Sequence, residues 1–356
     1  MDWPTLVAHL MRGENLTPAQ ARAAMTAVMN GEVPPVRLAA FLVALHTKGE
    51  SVDELRGLAD VMVEHAQAIS VPGPALDIVG TGGDMAHTVN ISTMAALVCA
   101  GAGARVAKHG NRASSSSTGT ADVLEALGVD LATEVEVLQA EAADAPMTFL
   151  FAQSFHPAMR HAATTRRELA VPTAFNFLGP LTNPARPTVA AVGCANARMA
   201  PVMAGVFAQR GTDAAVFRGD DGLDELTLAT TSSIWWVHDG EVVEISLSPQ
   251  EVGLSHAPIE ALRGGDAATN AQVVRDVLAG SPGPIRDAVL LNAGAALALV
   301  AQHESGRRLG GAPDLATAVR SGIERAARSI DSGDAARTLS EWVERTTNRT
   351  ATKEGR

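Results

Sequence analysis

The sequence predicts an α/β protein with a small N-terminal helical domain and a large α/β domain, whose mainly parallel central sheet is covered by helices. Three observations carry this. The 356 residues exceed one ordinary core and suggest about two domains. Residues 1–70 place apolar side chains at helical spacing. Past a Val71-Pro72-Gly73-Pro74 linker, short apolar runs alternate with Ala-rich helical runs, the pattern of parallel strands joined by crossover helices.

In the first part, Thr17-Pro18-Ala19-Gln20 and Ser51-Val52-Asp53-Glu54 are capping boxes, in which a side chain at each end of the first turn satisfies a free backbone N–H. Gly31 and Pro34-Pro35 separate the helices between them, and Leu38, Phe41, Leu42 and Leu45 form one apolar face. A few short helices bury little alone, so support and self-association are their expected roles. The expected strands are 75–79, 105–107, 147–151 and 214–217. The domains are then 1–70 and 71–350, with a tail at 351–356.

Composition narrows the function. Hydrophobic residues make up 46%, yet no apolar run approaches the ~20 residues of a membrane span. The start, Met1-Asp2-Trp3-Pro4, lacks a signal-peptide layout. A soluble, cytoplasmic protein without membrane partners is expected. Cys99 and Cys194 lie in apolar surroundings at no metal-ligand spacing, which predicts buried reduced thiols. A net charge of −11, no tyrosine and 3% aromatic residues argue against nucleic-acid binding. Any polyanionic substrate must be received by local cations, backbone dipoles or metal.

The chain is organised around Gly80-Thr81-Gly82-Gly83-Asp84, running on to Asn90-Ile91-Ser92-Thr93. An apolar run enters it and a helical run leaves it, so the glycines turn between a strand and a helix, where backbone N–H groups and the helix dipole attract anions. A tight turn holding nothing is the plainer reading. No Gly-x-x-x-x-Gly-Lys-Ser/Thr run occurs and the glycines do not fit Gly-x-Gly-x-x-Gly, which argues against a P-loop NTPase and a Rossmann dehydrogenase.

The second strand repeats the arrangement. It leads to Lys108-His109-Gly110-Asn111-Arg112-Ala113-Ser114-Ser115-Ser116-Ser117-Thr118-Gly119-Thr120, placing two cations, two glycines and a run of hydroxyls before a helix. Such a loop suits phosphate, and Asn111 could meet a second, polar substrate. Further on, Arg166-Arg167-Glu168-Leu169 offers one inward arginine for a carboxylate, against the ordinary fate of a surface arginine. His109, His156 and His161 are candidate bases or simple hydrogen-bonded fixtures. Finally, Gly219-Asp220-Asp221-Gly222-Leu223-Asp224-Glu225 gathers four carboxylates at a strand's end. Hard oxygen ligands of this kind suit Mg2+ bridging to phosphate. Glycoside hydrolysis fits adjacent turn residues poorly, and a solvated acidic turn is the alternative.

Taken in this order, the two glycine turns, the Arg166-to-Pro184 segment and the acidic turn resemble the anthranilate phosphoribosyltransferase family over nearly the whole chain. The resemblance implies transfer of phosphoribose from 5-phosphoribosyl 1-diphosphate (PRPP) to the amine of anthranilate, with Mg2+ and two ions per site. It implies a homodimer through the N-terminal helices, and a helical domain completed by part of 160–190. By position, Gly80, Gly83, Asp84, Thr88, Asn90, Ile91, Ser92, Thr93, Lys108, His109, Gly110, Asn111, Arg112, Ala113, Ser114, Ser115, Ser116 and Thr120 would line PRPP. Ser92, Asp224 and Glu225 would hold metal, and Gly80, Asn111 and Arg166 would meet anthranilate. No residue is assigned as an acid or base; Asn111 and Arg166 position. Departures from the family pattern are Met85 and Ala170 for glycine, His87 for asparagine and Thr120 for serine, with Met159 beside the expected acceptor channel. The alternatives are a relative acting on another aminobenzoate, a nucleoside phosphorylase, and a non-enzymatic binder of phosphoribosyl compounds or nucleic acid.

Overall fold

The computed structural model describes residues 2–112, 118–131 and 134–354. Four helices come first: α1 (Trp3–Met11), α2 (Pro18–Met29), α3 (Pro35–Lys48) and α4 (Val52–Glu64). Both capping boxes form. Gln20 N–H donates to Thr17 Oγ1 (3.3 Å) and Thr17 N–H to Gln20 Oε1 (2.9 Å), with the same exchange between Ser51 and Glu54. Glu54 is fully buried and also accepts from Leu16 N–H (2.7 Å) and Lys48 Nζ (2.8 Å), so its charge is paired inside the bundle.

The chain then runs β1 (Leu76–Gly80), α5 (Ile91–Gly101), β2 (Val106–Gly110), α6 (Thr120–Ala126), α7 (Val135–Glu141) and β3 (Met147–Phe151). Next come α8 (Ala152–Phe155), α9 (Arg160–Leu169), α10 (Phe175–Leu178), β4 (Val189–Gly193), α11 (Met199–Arg210) and β5 (Asp213–Gly219). A hairpin of β6 (Ser232–His238) and β7 (Glu241–Leu247) follows, then α12 (Ala267–Leu278), α13 (Pro284–Ser305), α14 (Ala312–Asp331) and α15 (Asp334–Glu354). The hairpin turns on Asp239 (φ 51°) and Gly240 (φ 76°), the left-handed pair that suits a two-residue connection.

The sheet order is β3-β2-β1-β4-β5-β6-β7. The first five strands are parallel, and β6 and β7 are antiparallel. The chain winds outward from β1 to β3 and returns to β4 on the other side of β1. That reversal opens a crevice at the carboxyl ends of β1 and β4, where ligands of such sheets bind. Alternate residues serve opposite cores: Ala191, Ala215 and Phe217 join the cluster beneath α5 and α13, while Ala190, Val192, Ala214 and Val216 join the other.

The second cluster also contains Trp3, Leu10, Met25, Phe41 and Leu58 of the bundle, Ala162 of α9 and Phe175 and Phe177 of α10. The bundle and one face of the sheet therefore share an apolar core. Arg210 of α11 adds an ion pair to Asp60 of α4 (2.6 Å). Contrary to the expectation from the sequence, α13 has the length and apolarity of a membrane span, but it is mostly buried in the protein, packed against α14 and α5.

Candidate active site

Gly80 and Gly193 end β1 and β4 side by side. The acidic turn after β5 lies across them so closely that a Cβ at either glycine would overlap Asp224. The Asp224 carboxylate accepts the Gly82 N–H (2.6 Å), and Glu225 accepts the Ser92 N–H at the start of α5 (3.2 Å). Two motifs about 140 positions apart thus form one wall of the crevice, and the amino end of α5 is met by a side-chain carboxylate.

This wall is crowded with negative charge. Burial, then Asp84, raises the Asp224 carboxyl to about 7. Burial and Asp224 push Glu225 well above the usual range, and Lys108 pulls it partly back. No group of three His, Cys, Asp or Glu donors stands at ligating spacing among the described residues. Glu225 at the Ser92 backbone and its neighbour Asp224 nevertheless offer hard oxygen donors of the kind that suit a divalent cation.

The second glycine turn is arranged differently from a simple cationic cradle. Lys108 is fully buried; its Nζ donates to the Ile78 carbonyl and to Ser92 Oγ (3.4 Å), with Asp77 and Glu225 opposing the downward shift that burial causes. It lies beneath the floor. His109 is neutral, its pKa driven to about 3 by burial, with Nδ1 bonded to the Gly179 carbonyl (3.1 Å) and the ring 5.1 Å from that of His156. Arg112 pairs with Asp122 (3.1 Å) and Glu125 (2.6 Å) of α6. Exposed Asn111 accepts the Arg112 N–H (2.8 Å). Ala113, Ser114, Ser115 and Ser116 lie outside the described residues.

Ile91 and Thr93 are buried in the core while Asn90 and Ser92 keep partial exposure, and Thr93 Oγ1 bonds Thr120 Oγ1 (3.4 Å). Gly82 and Gly83 take φ of 71° and 88°, which their lack of a side chain permits. Met85 (φ 58°), His87 (φ 53°) and Ala170 (φ 51°) occupy the same region with side chains.

Arg166 on α9 sits 5.0 Å over the Phe175 ring. Among the described residues it has no carboxylate partner within ion-pair distance, and burial depresses its pKa. Arg167 is exposed. Sequence reasoning missed the segment that closes the other side: Thr88 bridges to Arg263, Gly264 N–H donates to the His87 carbonyl (2.9 Å), and Asn270 bonds Asn90 (2.9 Å). Only the Gly264-Gly265 pair before an Asp266 N-cap signalled a turn there.

A helical bundle beside a switch-point crevice of glycine turns and carboxylates defines a two-domain glycosyl transferase. Residues 4–66 match the helical bundle domain of the glycosyl transferase family, and residues 72–336 match its a/b domain. An anthranilate phosphoribosyltransferase from a Nocardioides species is 57% identical, covering 96% of this chain and 98% of its own length; one from an Arthrobacter species is 56% identical over 96% and 95%. The Thermus thermophilus anthranilate phosphoribosyltransferase superposes with a TM-score of 0.86 at 42% identity, covering 95% of this chain and 98% of that one. The Saccharomyces cerevisiae enzyme in complex with PRPP and Mg gives 0.85 at 26% identity, covering 97% and 98%. The chain belongs to the anthranilate phosphoribosyltransferase family.

Proposed function

We propose that the crevice transfers the 5-phosphoribosyl group of PRPP to the anthranilate amine, giving N-(5-phosphoribosyl)anthranilate and pyrophosphate for tryptophan biosynthesis. The observation that carries this is the meeting of the acidic turn with the first glycine turn through Asp224 and Gly82. It puts carboxylates for a cation beside a backbone suited to diphosphate, while Arg166, without an acidic partner among the described residues, is available for a substrate carboxylate.

Ser92, Asp224 and Glu225 would hold Mg2+, two ions per site, supplying charge neutralisation for the leaving pyrophosphate. Gly80, Gly83, Asp84, Thr88, the 90–93 stretch, Gly110, Asn111 and Thr120 would together border the diphosphate and the ribose phosphate, with Lys108 supporting them from beneath. As the C1–O bond breaks, the ribose carbon gains positive character and the amine lone pair bonds to it. The amine then releases its proton. An aromatic amine is neutral at working pH, so positioning by Arg166 and Asn111 outweighs any base. His109 is neutral and hydrogen-bonded, in keeping with a fixture. The chain would act in the cytoplasm as a homodimer through α1 and α3, where Met11 and Val36 are 77% and 76% exposed.

The test is anthranilate fluorescence during incubation with PRPP and Mg2+, with a chelator control. Loss of signal requiring both donor and metal supports the reading. PRPP binding without loss of signal would redirect it to another aminobenzoate, and cleavage of nucleosides in phosphate would favour a phosphorylase.

A further inference from the structure

Asn270, 1% exposed on α12, sits in a closed circuit of hydrogen bonds behind the crevice. Its Nδ2 donates to Asn90 Oδ1 (2.9 Å), and its Oδ1 accepts the Gly265 N–H (2.8 Å). Asn90 Nδ2 donates onward to the Thr118 carbonyl (3.1 Å), and Thr118 Oγ1 donates to the Gly265 carbonyl (2.9 Å). Three segments distant in sequence meet there: the residue just before α5, the stretch leading into α6, and 264–270.

The circuit fixes its own amides. Turning Asn270 over would set its NH2 against the Gly265 N–H and its oxygen against Asn90 Oδ1, so the network admits one orientation. Space is equally constrained, since a Cβ at Gly264 would lie 2.9 Å from Asn270 Oδ1 and 3.1 Å from the Thr88 carbonyl carbon. Val89 N–H also donates to the Leu262 carbonyl (2.9 Å), extending the attachment along the first turn. Both ends of the Asn90 amide are engaged within the protein. What Asn90 contributes to a ligand is therefore placement of the partly exposed Ser92 at the first turn of α5.

We propose that Asn270 is a positioning residue of the donor site. Acting through Asn90 and Thr118, it holds the start of α5 and the approach to α6 at the separation that the diphosphate and 5-phosphate of PRPP require. This rests on the reading that these two turns bind PRPP. Small displacements of positioned groups cost about 10²-fold in rate, and supporting residues that touch no substrate set such placements.

The experiment measures steady-state constants for both substrates in Asn270→Ala, Asn90→Ala, the double variant, and Thr118→Val. The last keeps the side chain's shape and opens the circuit at a second point, should Asn270→Ala fail to fold. Expected in Asn270→Ala is a PRPP KM raised about tenfold or more, with the anthranilate KM within about twofold of wild type. Thr118→Val should move the same constant in the same direction. In the Asn90→Ala background, Asn270→Ala should add less than about twofold, because residues of one network are not additive. A lowered melting temperature and active fraction with both KM values unchanged would make Asn270 a packing residue only and overturn the proposal. Fully additive effects would do the same. A wild-type protein that binds no PRPP would overturn the functional reading, and this proposal with it; wild-type turnover with an indifferent Asn270 overturns this proposal alone.

Discussion

Ala170 ends α9 with φ 51° and ψ 26°, and its N–H closes the helix on the Arg166 carbonyl (3.2 Å). A Cβ in that region costs about 1–2 kcal/mol, while glycine returns about 0.5–1 kcal/mol as extra freedom of the unfolded chain. The first outweighs the second, so Ala170→Gly should stabilise the protein by roughly 0.5–1 kcal/mol in urea unfolding. Met85 and His87 carry the same conformation in the first glycine turn. Four residues before Ala170, Arg166 is the residue proposed above to meet the acceptor carboxylate. Its guanidinium lies against Phe175 without an acidic partner among the described residues, so Arg166→Ala should raise the anthranilate KM by about 10–100-fold, the range of a lost charge-assisted hydrogen bond. The PRPP KM should stay within about twofold, and equal losses for both substrates would remove Arg166 from the acceptor site.

At the scale of elements, the crevice depends on strand ends without side chains. A methyl at Gly193 would overlap the Asp224 carbonyl and push the acidic turn off β1 and β4. Gly193→Ala should therefore keep its helical circular dichroism but lose about 10²-fold in kcat/KM, with more Mg2+ needed for half-maximal rate; unchanged kinetics would mean the turn has room to shift. The sequence did not disclose this strand. β1, β2, β3 and β5 were legible because 75–79, 105–107, 147–151 and 214–217 are apolar runs bordered by turn residues. Val189–Gly193 follows a proline-rich stretch and is built of small residues, so it resembled linker. The β6–β7 hairpin carried an Asp239-Gly240 signal, but its outer strand is largely exposed and lacks the continuous apolar run of its neighbours. The glycine and acidic turns were legible as motifs. Their contact was not, since nothing local in either stretch specifies a partner about 140 residues away. Asn270 left no trace, because a single asparagine in a helix has no pattern. Lys108 was legible as a cation near the crevice, but its burial beneath the floor depends on Ile78 and Ser92 packing over it.

Over the whole molecule, the buried ionisable groups set how stability responds to pH and metal. Burial raises Asp77 to about 6, Asp224 to about 7 and Glu225 well above its ordinary value. A carboxyl whose folded pKa is raised binds its proton more tightly in the native state, so it withdraws stability as pH climbs from the unfolded toward the folded value. His109 and His156 act in the opposite sense, since burial lowers both, and they withdraw stability only as pH falls below their unfolded value of about 6.5. From about pH 6.5 to about pH 8 the carboxylates of the crevice therefore withdraw stability, opposed by buried Lys108, whose lowered pKa acts in the other sense. In chelator the melting temperature should fall across that interval by about 2 °C or more. A cation binds the ionised carboxylates of the native state, so Mg2+ with pyrophosphate should restore more of the loss at the upper end than at the lower. Asp224→Asn should flatten the metal-free slope and abolish most of the metal's effect. Stabilisation by Mg2+ that is equal at both ends, or a metal-free melting temperature that does not fall, would mean that these carboxylates are already paired within the protein.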